Sequence, residues 1–133
     1  MKQRLIATIV ITVAWVILDI IIHGNLLMGL YEQTAQLWRP ENEMMPVFIN
    51  IISLVSALLF VFIYCQLVKD KNRSKGIKLG VISGLLIGTL CGLGSYAYMP
   101  IPMSLAIGWL VTHTVKFTVA GFITGTFVTS DMT

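Results

Sequence analysis

Apolar residues run almost unbroken through four stretches of the chain, from about Leu5 to Leu27, Pro46 to Val68, Ile77 to Tyr98 and Met103 to Val128, with the polar residues gathered between them. Each stretch reaches the roughly 20 residues that a helix needs to cross a bilayer. The pattern therefore predicts an all-α integral membrane four-helix bundle, a single domain over residues 1–133. The first stretch follows Lys2 and Arg4 in the manner of a secretory signal. Its apolar run is long and no A-x-A cleavage site follows, so a retained signal-anchor helix is expected.

The connections differ in character. Between the first two spans, Leu30, Thr34, Leu37 and Trp38 recur at helical spacing. That spacing predicts a short interfacial helix lying on the membrane and ended by Arg39-Pro40, with Pro46 suited to the first turn of the second span. The turn from Tyr98 to Pro102 is short enough to make spans three and four an antiparallel hairpin.

Composition sharpens the class. Hydrophobic residues make up 56% of the chain and charged ones only 11%, against about 25% charged in a soluble domain. Lipid, not water, is the expected main solvent, and a soluble or disordered chain is excluded. The net charge of +3 does not indicate nucleic acid, because the basic residues sit where membrane proteins place their cytoplasmic ends. Lys69, Lys71, Arg73, Lys75 and Lys78 fill the connection between spans two and three, whereas Arg39 is outnumbered by Glu32, Glu41 and Glu43 in the first connection. The positive-inside rule then predicts a multi-pass protein with both termini cytoplasmic, and with Tyr31, Trp38, Tyr96 and Tyr98 near the outer interface. Cys65 and Cys91 lie in apolar runs without a nearby His or a CxxC pair, and read as buried small residues.

Gly80, Gly84, Gly88 and Gly92 recur every fourth residue in the third span, and Gly121 and Gly125 form a shorter counterpart in the fourth, with Gly108 an earlier close-approach point. Helices in lipid associate through such side-chain-free stripes, which let backbones approach. The stripe either closes the monomer, span three on span four, or serves as a homo-oligomer interface.

A few ionisable residues remain inside the spans, where each costs a few kcal/mol and asks for a partner or a role. Asp19 and His23 share one face of the first span, and His113 and Lys116 one face of the fourth. At a rise of about 1.5 Å per residue, Asp19 lies about 21 Å above the cytoplasmic edge, Lys116 about 18 Å and His113 about 22 Å. That shared level predicts a contact from Asp19 to Lys116 or to His113. Three readings compete: a buried ion pair that fixes register, a proton or ion pathway in which the histidines titrate, and a zinc, copper or iron site. Trp38, Arg39, Glu41 and Glu43 read either as an interfacial anchor with solvated charges or as a lid over the cluster.

The segment Leu18-Asp19, His23-Gly24, Leu26-Leu27, Tyr31, Thr34 and Leu37-Trp38-Arg39-Pro40-Glu41 resembles a pattern in small uncharacterised four-span bacterial inner-membrane proteins. It covers the first third of the chain. The resemblance implies a bacterial inner-membrane location and a joint role for Asp19, His23 and the Trp38-Arg39-Pro40 turn, and it carries over no catalytic residue. No P-loop, dinucleotide fingerprint, nucleophile elbow or HExxH motif occurs. Neither enzyme chemistry, a cofactor nor a resident metal is expected. The sequence favours transport or permeation of protons, ions or a small solute, of unspecified identity, through the Asp19, His23, His113 and Lys116 cluster. The rival is a non-catalytic interaction or assembly subunit packing through the glycines.

Overall fold

The computed structural model describes residues 1–130. Four long helices carry the fold: α1 (Lys2–Leu26), α3 (Pro46–Leu67), α4 (Arg73–Tyr98) and α5 (Met103–Phe127), with the short α2 (Met28–Gln33) between α1 and α3. All four long helices have the length and apolarity to cross a membrane. A helix satisfies its own backbone polar groups, the condition for running through lipid. Threonine hydroxyls are satisfied the same way: Thr8, Thr112, Thr118 and Thr124 each donate to the carbonyl four residues back.

Local sequence sets the helix ends. Asn72 caps α4 by accepting the Lys75 N–H at 3.0 Å. As a result α4 starts at Arg73, four residues ahead of the hydropathy edge, and Lys75 and Lys78 ride on the helix, not in a loop. Pro46 opens α3, where its missing N–H costs nothing. The last turn of α1, Ile22–Leu26, is widened to a π-helical turn, closed by the Leu27 N–H on the Ile22 carbonyl at 2.8 Å. A second such turn, Thr89–Leu93, interrupts α4.

The central helix is α5. It packs along α4 and, on another side, against α1, which in turn packs on α3. The contact with α4 is backbone against backbone. Gly76, Gly80, Gly84, Gly88 and Gly92 are buried, and a Cβ on each would meet main-chain atoms of α5: Gly121, Phe117, Thr114 at 2.6 Å, Leu110 at 2.7 Å and Ala106, in that order. Gly121 meets Gly76 and Gly80 from the other side, and Gly125 meets Asn72 and Arg73. The stripe thus faces its own chain's fifth helix, and it is one residue longer than expected because Gly76 lies before the hydropathy edge. Gly108 instead faces the Leu27 side chain.

Two apolar clusters lie along α5. One, toward the basic connection, gathers Ile11, Trp15, Phe60, Tyr64, Ala120 and Val128. The other, toward α2, joins Leu27, Ile101, Leu105 and Ala106, with Trp38 and Trp109 against it. Ser130 exchanges backbone and side-chain hydrogen bonds with Lys71, which places the end of the described chain beside the basic connection. Leucines and isoleucines such as Ile9, Ile17, Leu54, Leu58, Leu86 and Leu90 are exposed along the spans, an arrangement suited to lipid. Cys91 also lies on this exposed surface and Cys65 is half-buried, so neither fills the core. A small thiol on a helix in lipid needs no burial.

Candidate functional site

Asp19 on α1 and Lys116 on α5 lie between the two apolar clusters. The Lys116 ammonium donates to both carboxylate oxygens of Asp19, each at 2.7 Å. Of the two contacts expected for Asp19, the one to Lys116 forms. The Lys116 side chain is only 12% exposed and that of Asp19 25% exposed. Two charges drawn this far from water need each other, since the survivor of a broken pair would stay charged in low dielectric.

Trp15 completes the floor of the site. Its indole Nε1 donates to the Lys116 carbonyl at 2.7 Å, and its ring lies 5.2 Å from the ammonium, within cation–π range. Phe117 packs on the other part of that ring at 5.0 Å. Trp15, Asp19 and His23 are spaced by four on α1, just as Trp109, His113 and Lys116 follow at four and three on α5. Two matched faces therefore meet.

On the α2 side the site continues as a string of side chains. His23 Nε2 stands 3.7 Å from Asp19 Oδ1, a charge contact when the ring is protonated and too long for a hydrogen bond. The other ring nitrogen, Nδ1, lies 2.6 Å from the Tyr31 hydroxyl. Tyr31 in turn accepts from Trp109 Nε1 at 2.7 Å. Burial pushes the Tyr31 phenol above its ordinary pKa, with the Trp109 hydrogen bond pulling the other way. His113 is half-buried within electrostatic range of Lys116, His23 and Asp19, but makes no side-chain hydrogen bond among the described residues.

Helix α2 holds this arrangement in place. Trp38 donates from Nε1 to the Thr34 hydroxyl at 2.9 Å, and that hydroxyl donates to the Leu30 carbonyl at 2.8 Å. The Trp38 ring meets Tyr31 and Trp109 edge-on at 5.6 and 5.9 Å. The expected interfacial helix is thus shorter than its pattern, ending at Gln33 before a 3₁₀ turn at Ala35–Leu37. Trp38 turns inward. Arg39, Glu41 and Glu43 do not: all three are exposed, and among the described residues their side chains make no ion pair or hydrogen bond. The solvated charges are carried by these three, while the closure over the cluster comes from Tyr31 and Trp38.

Tyr31 and Trp109 are the site residues that sequence reasoning missed. Trp109 carried a signal, since it lies one turn from His113 on the face of Lys116. Tyr31 read as an interface aromatic and as one position of the resembling segment, with no role beside Asp19 and His23. No group of three or more His, Cys, Asp and Glu among the described residues is placed to hold a metal ion. The zinc, copper or iron reading therefore lacks a third ligand. No family model, curated protein or solved structure matches the chain.

Proposed function

We propose that the chain is a non-enzymatic, multi-pass protein of the bacterial inner membrane, with both termini and the basic connection cytoplasmic, that moves protons, ions or a small solute through the cluster of Asp19, His23, His113 and Lys116. The observation that supports it is the doubly bonded Asp19–Lys116 pair inside the spans, flanked by two histidines. Ionisable groups at this depth are expensive, and membrane proteins retain them mainly along substrate and ion paths. Histidine adds a ring with two nitrogens, one able to take up a proton while the other gives one away. The basic residues between α3 and α4 support the orientation.

Flux into proteoliposomes tests the reading. Wild-type protein is expected to dissipate an imposed gradient, while Asp19→Asn and His113→Ala slow it. Equal rates for wild type, both variants and empty liposomes overturn it. The rival, an assembly subunit docking through the glycines, loses its contact face because α5 of the same chain already covers that stripe.

A further inference from the structure

Resting on that reading, we propose that the species moved is the proton, and that Tyr31 of α2 delivers it to Asp19 through His23. The assignment follows from which group has a proton to give. Trp109 Nε1 is an obligate donor, so the Tyr31 oxygen must accept it at 2.7 Å. The Tyr31 proton is then the one directed at His23 Nδ1, 2.6 Å away. That leaves Nδ1 as acceptor and puts the ring proton on Nε2, facing Asp19 Oδ1 across 3.7 Å. In the opposite tautomer the Nε2 lone pair would face the carboxylate and the Tyr31 proton would lose its acceptor. Both effects disfavour it.

The transfer balances atom by atom. A hydronium ion on the α2 side gives its proton to the Tyr31 oxygen, leaving water, as the Tyr31 O–H bond breaks and its proton joins Nδ1. The ring, now an imidazolium, releases the Nε2 proton to Asp19 Oδ1 and is left neutral with its proton on Nδ1; a turn of the ring or the reverse exchange of that proton restores the Nε2–H form before the next transfer. Asp19 becomes a neutral acid, and the Lys116 ammonium loses the charge that held it. Closing the 3.7 Å gap requires only a small approach of the His23 ring, whose side chain is 37% exposed. The groups facing this path are Asp19 on α1, Tyr31 on α2, and Trp109, His113 and Lys116 on α5.

The same geometry selects against larger cargo. Both Asp19 oxygens are taken by the ammonium. The contacts from Trp109 to Tyr31 and from Tyr31 to His23 are direct, at 2.7 and 2.6 Å. A sodium ion or a solute would have to part them. A proton passes by exchange of bonds.

Nitrogen-15 NMR of histidine-labelled protein in liposomes reads the tautomer, since protonated and unprotonated ring nitrogens are well separated in shift. Wild-type His23 is expected to carry its proton on Nε2. Tyr31→Phe keeps the ring and removes the hydroxyl, and is expected to lower the Nε2–H to Nδ1–H ratio about tenfold, the weight of one hydrogen bond. Trp109→Phe leaves the hydroxyl but removes its donor, and lowers the ratio by a smaller factor. A wild-type His23 protonated on Nδ1, or a ratio unchanged in Tyr31→Phe, overturns the delivery route. Flux is measured in parallel with imposed proton, sodium and potassium gradients, and Tyr31→Phe is expected to slow proton flux about tenfold, again one hydrogen bond. Sodium or potassium flux without proton flux overturns the proton assignment while leaving transport standing. No flux of any probe overturns transport itself and, with it, this inference.

Discussion

Asp19→Asn keeps the shape of the side chain and removes its charge. In wild type the Lys116 nitrogen lies 2.7 Å from each oxygen. At an effective dielectric of about 20, opposite unit charges about 3 Å apart attract by about 5 kcal/mol. Part of that offsets the desolvation of the two groups, and the asparagine carbonyl still accepts one hydrogen bond from the ammonium. With Lys116 only 12% exposed, the stranded cation recovers little hydration, and the expected loss is about 3 kcal/mol, within the range for breaking a buried pair. Lys116→Met should cost less, about 1–2 kcal/mol, because the Asp19 side chain, 25% exposed, is less cut off from water than that of Lys116. Removing both charges together should bring the protein back to within about 1 kcal/mol of wild type, a non-additivity that identifies a coupled pair. Equilibrium unfolding by SDS titration in mixed micelles measures these differences, and the Trp15 ring, 5.2 Å from the ammonium, reports locally by fluorescence. An Asp19→Asn variant within about 0.5 kcal/mol of wild type would refute the reasoning and mean that Lys116 finds water on its own, by extending along the helix.

Gly84→Ala places a Cβ 2.6 Å from the Thr114 Cα, so it should cost about 1–3 kcal/mol in the same titration by prying α4 from α5. Gly24→Ala, where nothing lies within 4 Å of the added carbon, should leave stability unchanged or raise it by up to about 1 kcal/mol. At the basic connection, the Lys75 ammonium 2.8 Å from Asp70 holds that carboxyl below its ordinary range, by hydrogen bond first and charge second. A lowered carboxyl pKa contributes stability above the ordinary value and loses it as pH falls through the lowered one. Because Asp70 is exposed, the effect should be visible as an upward move of the Asp70 titration in Lys75→Ala by NMR, with no change in unfolding. In a background with Cys65 and Cys91 replaced by Ser, Asn42→Cys should react with an impermeant maleimide on intact cells and Lys69→Cys only after permeabilisation. The reverse pattern would invert the orientation.

Much of this molecule is written in one-dimensional patterns. Runs of apolar residues define the spans because lipid imposes a length. The meeting of Asp19 and Lys116 was legible for a related reason: two helices crossing the same slab share a depth scale, so counting residues at a fixed rise aligns them. Gly76 escaped because the stripe continues past the point where the basic residues begin, and hydropathy marks that point as an end. The Tyr31 link could not be counted out. It depends on where the chain goes after the widened turn at Ile22–Leu26, and on a Trp109 that lies 78 residues away. The segment Trp38-Arg39-Pro40 was legible as a turn but not in its division of labour. Trp38 has an extended backbone and turns to the aromatic cluster, while Arg39 faces outward.

The separation of Asp19 and Lys116 by 97 residues also has a meaning in time. At a synthesis rate of about 5–20 residues per second, about 5–20 s pass between the making of the one and the making of the other. During that interval α1 can already be in the bilayer with its carboxylate and no lysine to meet it. Lys2 and Arg4 sit at the far end of the same helix, so the ionisable companion within reach is His23, one turn away. The neighbour that is a loose 3.7 Å contact in the finished fold is thus the partner at hand when the first helix enters lipid. Until α5 arrives, the nascent chain has either that histidine or a borrowed proton with which to hide the charge.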